Sequence, residues 1–347
     1  MDDAQFDPNA AAAPGSGIFG LSSTENSAAF VLVPVPFDAT TSYRRGAAGG
    51  PDAIVEASRQ IDLFDLDLGR IYESGIALIS RSEAAEAQFR RWNERAGELA
   101  RPIIEAGGIA EGESVQALEE VNGICAALNR QVEGEVRGLL ERGKTVGLIG
   151  GDHATPFGSM AAHAAHCPGM GILHIDAHAD LREAFEGFEW SHASIMFNAV
   201  KRLSGVSRLV QVGIRDFCEA EYDLIRGSGG RIRTHFWSAL SRSLSDGRSW
   251  TELCRAVSED LPENVYVSFD IDGLDPALCP NTGTPVPGGL SFDQANRLLE
   301  VVVRDGHRIV GFDLNEVAPG PDGDEWDANV GARMLYKLIG WTRMSRR

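Results

Sequence analysis

Residues 170–181, MGILHIDAHADL, begin as an apolar run and end in Asp176, His178 and Asp180. A short, largely apolar run is typical of a strand that is covered on both faces, as in a parallel sheet. Side chains of a strand alternate between its faces, so the two-residue spacing predicts that Asp176, His178 and Asp180 start on one side. Parallel sheets bind ligands beyond the carboxyl ends of their strands. The segment therefore predicts a parallel sheet with a functional site at its edge.

Similar apolar runs recur along the chain, and helical patterns separate most of them. The runs lie at residues 29–36, 75–80, 145–151, 208–214, 231–237, 264–271 and 308–317. The longest stretch with apolar residues at helical spacing covers residues 115–143. This alternation predicts an α/β fold with a mostly parallel sheet of about eight strands and helices on both faces.

The chain of 347 residues shows no internal repeat and no linker, which favours a single domain over residues 26–347. The Gly/Pro-rich residues 276–289 and 319–323 follow predicted strands, so we expect them to be loops. Residues 1–25 begin MDDAQFDPNAAAAPGSG, and this Ala, Pro and Gly content predicts a flexible N-terminal arm, free or docked on a neighbour.

Composition argues against several classes of function. The formal net charge is −18 at pH 7, which is opposite to what a nucleic-acid-binding protein needs, so we expect no nucleic-acid partner. The chain lacks an apolar run of the roughly 18 residues that span a membrane, and its N-terminus lacks the pattern of a secretory signal. The five cysteines are scattered without a CxxC pair, which is typical of reduced thiols in a cytoplasmic protein.

Two further predicted strands end in residues of the same kind. The segment GGDHA contains His153, and SFDIDGLDPA contains Asp270 and Asp272. Each segment alone has an ordinary explanation, since GGDH can be a capped turn, DxD is common in loops and DAHAD could bind one ion. Together they bring four carboxylates to one edge, which requires cations to neutralise them. Imidazole and carboxylate ligands without thiolates suit two ions of Mn²⁺, Ni²⁺, Fe²⁺ or Zn²⁺, which would also activate water.

The segments GGDHA, DAHADLR and SFDIDGLDPA resemble the three signature motifs of the ureohydrolase (arginase/agmatinase) family. The resemblance covers most of the chain, from VPVPFDATTSYRRGAAGGP to DLNEVAPGPD. It implies a three-layer α/β/α fold with an eight-stranded parallel sheet, two divalent ions per chain (Ni²⁺ or Mn²⁺) and hydrolysis of a small cationic guanidino substrate. It further implies that one ion binds His153, Asp176, Asp180 and Asp270. The other would bind Asp176, His178, Asp270 and Asp272.

The same resemblance implies roles for two residues outside these motifs. Glu316 in DLNEVAPG matches a glutamate that binds the guanidinium group, and His192 in WSHASIM matches a histidine that shuttles protons. Asp180 and His192 are the candidate proton relays. Without the resemblance, Glu316 would be interpreted as a solvated loop acid and His192 as an ordinary loop histidine. His174 matches no ligand position, and we expect it to be packed or to lie behind the ligands.

The substrate is chosen by loops in which the resemblance is less specific. The stretch FEGFEWSHASIM lacks the Asn of the SxNxHG-like segment of arginases, which disfavours arginine. It resembles the agmatinase-like branch of guanidine hydrolases and biguanide (metformin) hydrolases. Guanidine, a substituted guanidine or a biguanide ranks first, agmatine or guanidinobutyrate second, and formiminoglutamate third. A zinc deacetylase of the same fold is disfavoured because it lacks the ligand in GGDH.

Two features bear on access and assembly. Arg44 and Arg45 in TTSYRRG are predicted either to alter access to the site or to face a neighbouring subunit. Family members commonly form trimers or hexamers. The resemblance also leaves open a chain that is active only in a hetero-oligomer with a paralogous subunit.

Overall fold

The computed structural model describes residues 7–10, 12, 15–108 and 113–346. The strands in the described ranges are β1 (Phe30–Val35), β2 (Phe64–Asp65), β3 (Gly69–Arg70), β4 (Ile76–Leu78), β5 (Thr145–Gly150), β6 (Met170–Ile175), β7 (Val206–Val212), β8 (Ile232–His235), β9 (Asn264–Asp270) and β10 (Arg308–Asn315). The helices are α1 (Gly50–Ser58), α2 (Glu83–Glu105), α3 (Glu113–Glu141), α4 (Phe157–His166), α5 (Ile195–Arg202), α6 (Glu219–Gly227), α7 (Trp237–Ser245), α8 (Trp250–Ser258), α9 (Phe292–Arg304) and α10 (Trp326–Met344).

Eight of these strands form one sheet in the order β4-β1-β5-β10-β9-β6-β7-β8, and all neighbouring pairs in it are parallel. They are the eight strands that the apolar runs predict, so the prediction of an α/β fold with an eight-stranded parallel sheet is confirmed. The antiparallel pair β2–β3 was not predicted, because two-residue strands carry no periodic signal.

Helices cover both faces of the sheet and complete three layers. On one face α1, α8, α9 and α10 pack against strand residues such as Leu32, Val267 and Phe312. On the other face α2 and α3 cover β1 and β5, while α4 and α5 cover β6 and β7. Consecutive residues Val31 and Leu32 of β1 are both fully buried, in different clusters. This is why the strands are apolar on both sides, as a doubly covered parallel sheet requires.

Part of the predicted N-terminal arm belongs to the packed domain. Ile18 and Phe19 are buried, the backbone N–H of Phe19 donates to Oγ of Ser58 at 2.8 Å, and the Phe19 ring lies 4.9 Å from that of Tyr336. Burying these two side chains against α1 and α10 opposes mobility of this part of the arm. Residues 1–6, 11, 13 and 14 lie outside the described residues, and the arm as a whole stays a prediction.

Two predictions from the composition, on membrane spans and on the cysteines, can be compared with the described residues. None of the helices in the described ranges is long and apolar enough to cross a membrane. The five cysteines are all free, and Cys125, Cys254 and Cys279 are buried.

Candidate metal centre

The predicted site residues come from the four central strands of the sheet, which are neighbours in the order β5-β10-β9-β6. His153 follows β5, Glu316 follows β10, Asp270 ends β9, and Asp176 follows β6. Because all four strands are parallel, their carboxyl ends meet at the same edge. The topology therefore brings together segments that are up to 163 residues apart in the chain.

Two glycines allow the chain to turn tightly before His153. A Cβ on Gly151 would lie 1.9 Å from the carbonyl oxygen of Phe37, and a Cβ on Gly150 would lie 1.9 Å from Oδ1 of Asn315. Neither position can hold a side chain, because real Cβ contacts are never this short. The chain is therefore packed closely against Phe37 and the Asn315 side chain just before His153, which is buried.

The first group of predicted ligands surrounds one nitrogen of His153. Its Nδ1 atom lies 3.0 Å from Oδ2 of Asp176, 3.3 Å from Oδ2 of Asp180 and 3.1 Å from Oδ2 of Asp270. The other ring nitrogen, Nε2, lies 2.9 Å from Oγ of Ser268, whose hydroxyl donates to Asp313. Because the serine hydroxyl proton is used on Asp313, Nε2 must carry a proton, and Nδ1 is the ring atom directed at the three carboxylates.

The second group lies beside the first and shares Asp176 with it. Nδ1 of His178 is 3.1 Å from Oδ2 of Asp272 and 3.4 Å from Oδ1 of Asp176. Their ligand atoms lie close enough to hold one ion, as do those of His153, His174, Asp176 and Asp180. All six residues predicted as metal ligands are thus adjacent, and the two groups are joined by one carboxylate.

The two-residue spacing within each motif has a different cause from the one expected. Strand β6 ends at Ile175, so residues 176–180 are not part of a strand and strand alternation does not align them. Instead, Oδ1 of Asp176 accepts the N–H of His178 at 2.6 Å, and Oδ1 of Asp270 accepts the N–H of Asp272 at 2.8 Å. The first aspartate of each motif caps the backbone two residues on, which turns the second ligand towards the same centre.

The charges of the cluster show why it suits divalent cations. Burial, together with the neighbouring Asp272 and Asp176, raises the pKa of Asp270 well above its usual range. Burial and Asp176 also raise the pKa of Asp180 to about 6. Burial opposes ionisation of Asp176 too, but the imidazoles of His174, His153 and His178 hold its pKa well below normal. Among the described residues, the basic side chains that contact these carboxylate oxygens are imidazoles, while Arg215 donates to the backbone carbonyl of Asp272 at 2.7 Å. The donor set fits two divalent ions, which would let every carboxylate ionise.

Glu316 is held beside the cluster in a strained conformation. Its backbone has φ of 62°, a region that residues other than glycine seldom occupy. Its Oε1 atom accepts the N–H of His153 at 2.8 Å, while Oε2 is buried without a hydrogen-bond partner. A Cβ on Gly283 would lie 3.3 Å from that oxygen and 3.2 Å from the carbonyl oxygen of Arg44, so a side chain there would crowd Glu316. Burial and the charge of Asp152 raise the pKa of Glu316 well above its usual range.

A cavity of about 190 Å³ adjoins the cluster. Its lining includes the predicted site residues His178, Asp180 and His192, with Phe185 and Phe217 as aromatic walls. His192 lies 3.4 Å from Oγ of Ser42, and burial, together with the proximity of His178, lowers its pKa to about 4. Its imidazole is therefore neutral near pH 7 and can accept a proton.

Arg44 and Arg45 differ in their surroundings. Arg45 donates from Nε and Nη2 to Oδ1 of Asp38, at 3.1 and 2.6 Å, whereas Arg44 donates to the carbonyl of Pro280 and lies over the ring of Tyr43. The other oxygen of Asp38 accepts the N–H of Gly46 at 2.8 Å. Arg45 therefore holds the loop that contains Ser42.

Sequence reasoning missed several buried polar residues next to the ligands, among them Ser268 and Asp313 behind His153 and Gln211 behind His174. Nε2 of His174 lies 2.7 Å from Oδ2 of Asp176, which agrees with its expected place behind the ligands, but its own partner, Gln211, was not anticipated. The signal that could have found Gln211 is a long polar side chain in the centre of the apolar run RLVQVGI.

A parallel sheet that joins imidazoles and carboxylates at its central strand ends defines a metal-dependent α/β hydrolase. A model of the arginase family matches residues 28–340. The chain is 34% identical over 325 residues to the N(1)-aminopropylagmatine ureohydrolase of Thermus thermophilus, covering 93% of this chain and 94% of that protein. It is 30% identical over 319 residues to an agmatinase of Escherichia coli, covering 91% and 88% of the two chains. This chain belongs to the arginase family, whose ureohydrolases cleave amidino C–N bonds with divalent metal ions.

Solved structures of similar fold agree with this assignment. The proclavaminate amidino hydrolase of Streptomyces clavuligerus superposes with a TM-score of 0.72 at 23% identity, covering 97% of this chain and 99% of that one. The agmatine ureohydrolase of Thermoplasma volcanium gives a TM-score of 0.69 at 24% identity, covering 93% and 92%. At these identities the likeness supports the fold alone, and it confirms the expected arginase-like architecture.

Proposed function

We propose that this chain hydrolyses a C–N bond of a guanidino-type substrate, releasing urea and an amine or ammonia. The observation that carries the proposal is the buried Oε2 of Glu316, which has no hydrogen-bond partner among the described residues. A planar guanidinium can donate paired N–H groups to such a carboxylate. Because its pKa is raised when it stands alone, Glu316 gains most from a ligand that carries positive charge.

The metal ligands are assigned as the sequence predicts. One ion, Mn²⁺ or Ni²⁺, would be held by His153, Asp176, Asp180 and Asp270. The other would be held by Asp176, His178, Asp270 and Asp272. When bound, the ions would neutralise the carboxylates and activate water as the nucleophile.

Side chains of this chain orient the substrate, transfer protons and exclude water. Glu316 orients the guanidinium carbon towards the carboxylate cluster. Neutral His192 and Asp180, which line the same cavity, can take up the proton of the attacking water and return it to the leaving nitrogen. Phe185 and Phe217 limit the water around the substrate at the cavity mouth.

For the substrate itself, guanidine, a substituted guanidine or a biguanide such as metformin is the first candidate. The loop EGFEWSHASIMFNA supports it by its resemblance to that branch of the family. The cavity of about 190 Å³ has room for a short substituent, and its aromatic walls suit alkyl groups.

A guanidino compound with a cationic tail, such as agmatine or N(1)-aminopropylagmatine, is the second candidate. Two observations favour it. Relatives of this chain include an N(1)-aminopropylagmatine ureohydrolase and an agmatinase, and the exposed carboxylate of Asp216 lies at the cavity. Arg182 opposes a cationic tail, but Glu221, 3.9 Å away, offsets part of its charge.

A release assay separates these candidates. Urea and amine are measured with guanidine, metformin, agmatine, N(1)-aminopropylagmatine, 4-guanidinobutyrate and arginine, after loading the protein with Mn²⁺ or Ni²⁺ separately. We expect the highest kcat/KM for guanidine or a substituted guanidine. A preference for agmatine or its aminopropyl derivative would support the second candidate, and no urea or amine from any compound would refute the proposal.

The assembly is proposed to be a homotrimer or homohexamer, in keeping with the family. Light scattering of the protein expressed alone gives the oligomer mass. If that preparation is inactive with both metals but gains activity on adding a paralogous subunit, the chain works in a hetero-oligomer.

A further inference from the structure

Gln211 is the next-to-last residue of β7 and is fully buried, yet no step of the proposed reaction uses it. An amide side chain has two N–H donors and an acceptor oxygen, which must find partners when water is excluded. The hydrogen bonds of Gln211 connect it, through its partners, to two of the proposed metal ligands.

The orientation of the amide follows from its neighbours. Its Nε2 atom donates to the carbonyl oxygen of Ala179 at 2.7 Å, and its Oε1 atom accepts the hydroxyl of Thr234 at 2.8 Å. A carbonyl can only accept, so the nitrogen of the amide must face Ala179. The amide cannot be rotated by half a turn without placing two oxygens in contact.

The second N–H of the amide leads to Asp176. Nε2 of Gln211 lies 3.0 Å from Nδ1 of His174, which must accept because the amide nitrogen only donates. The proton of His174 is therefore on Nε2, which donates to Oδ2 of Asp176 at 2.7 Å. Since Oδ1 of Asp176 accepts the N–H of His178, both oxygens of this carboxylate have a fixed direction.

The bond to Ala179 leads to Asp180. Asp180 follows Ala179 directly and has φ of 53°, a strained conformation for an aspartate. Such a conformation persists only where the surrounding contacts hold it, and the anchored carbonyl of Ala179 is adjacent.

We propose that Gln211 is a positioning residue for the metal centre, acting on Asp176 through His174 and on Asp180 through the carbonyl of Ala179. The inference rests on the proposed function, because it requires these two aspartates to bind metal. Groups behind the ligands typically change metal affinity by about tenfold to a hundredfold.

The test measures Mn²⁺ affinity by competition with a chelator, on the full chain. Gln211→Met keeps the size of the side chain and removes all three hydrogen bonds, and we expect it to weaken Mn²⁺ binding by about tenfold or more. His174→Phe should weaken binding similarly. In the double variant the two losses should combine to less than their product, because the two residues act along one path. With excess Mn²⁺, kcat should return to within about threefold of the unsubstituted protein.

Ser258→Ala is the matched control, since Ser258 is also buried and hydrogen-bonded, to Nε2 of His307 at 3.0 Å, but at the opposite edge of the sheet. It should lower Tm without changing Mn²⁺ affinity. The inference is overturned if Gln211→Met binds Mn²⁺ within about twofold of the unsubstituted protein, or if Ser258→Ala weakens binding equally. If Gln211→Met does not fold, Thr234→Val, which removes the hydroxyl that fixes the amide oxygen of Gln211, decides by the same criterion. Failure of the unsubstituted protein to bind Mn²⁺ or Ni²⁺ would instead refute the proposed function.

Discussion

The backbone N–H of His153 donates to Oε1 of Glu316 at 2.8 Å, so the residue proposed to bind the substrate is joined directly to a proposed metal ligand. The bond uses one carboxylate oxygen, and the other has no hydrogen-bond partner in the part of the chain that the structure describes. One hydrogen bond therefore links the position of the guanidinium to the position of the metal centre.

Glu316→Gln should separate substrate binding from metal binding. The amide keeps an oxygen for the N–H of His153 but loses the charge that attracts a guanidinium, so we expect kcat/KM to fall by about 100-fold or more. Two-metal binding, measured by metal analysis after gel filtration, should be retained. The matched control is Asp322→Asn, a neighbouring acid with φ of 56° that is exposed, and it should leave kcat/KM unchanged. Equal losses in the two variants would contradict the role of Glu316.

Asp270→Asn should stabilise the metal-free protein and abolish its response to metal. Burial and the charges of Asp272 and Asp176 raise the pKa of Asp270, so its ionised form destabilises the metal-free fold and that fold gains stability as pH falls. A neutral amide removes this repulsion, and Tm measured in chelator should rise. The increase of Tm on adding Mn²⁺ should disappear, together with turnover. Asp223→Asn, an exposed substitution on α6, is the control, and a retained Mn²⁺ response in Asp270→Asn would contradict the ligand assignment.

Arg45→Ala should affect substrate binding more than stability. The pair with Asp38 is partly exposed and contributes about 1 kcal/mol or less to folding, but it anchors the loop that brings Ser42 to the cavity. Loss of the anchor should raise KM by roughly tenfold, with a smaller change in kcat. Arg44→Ala, which removes only the contacts to Pro280 and Tyr43, should change KM little. The prediction fails if Arg44→Ala and Arg45→Ala have the same KM.

His163 should make the fold less stable in mild acid. Burial, with the nearby charges of Arg346 and His166, lowers its pKa from 6.5 to about 4, although its Nδ1 atom bonds the carbonyl of Ser159 at 2.8 Å. Between these pH values the unfolded chain binds a proton that the folded chain rejects, so the free energy of unfolding rises with pH. The contribution is about 2 kcal/mol less at pH 5 than at pH 7.5.

Urea denaturation of the unsubstituted protein and of His163→Gln at both pH values checks this effect. The difference between the two proteins in free energy of unfolding should shift in favour of the variant at pH 5. Other titrating groups, including the acids of the metal centre, are common to both proteins and cancel. A difference that does not change with pH would show that folded His163 accepts a proton as readily as the unfolded chain does.

Much of the site could be predicted because its residues occur as compact motifs at the ends of apolar runs. His153, Asp176 and Asp270 each lie within a few residues of a strand end, so the strand pattern and the parallel topology place them at one edge. The reason for the two-residue spacing could not be predicted, since it depends on backbone N–H groups that the carboxylates cap outside the strands. The hydrogen bonds of Gln211 to Ala179 and His174 could not be predicted either, because these partners lie 32 and 37 residues away in the chain.

The sequence by itself determined the eight strands of the large sheet, the class of the fold and the set of titratable groups, because these depend on local apolar patterns and on residue chemistry. Only the tertiary structure decided how those groups are used. The order β5-β10-β9-β6 determines which strand ends are neighbours, and the close contacts of Gly150 with the Asn315 side chain and of Gly151 with the Phe37 backbone require glycines just before His153. The buried surroundings leave one oxygen of Glu316 without a partner. These properties arise from contacts between distant segments, and local sequence patterns carry no information about such contacts.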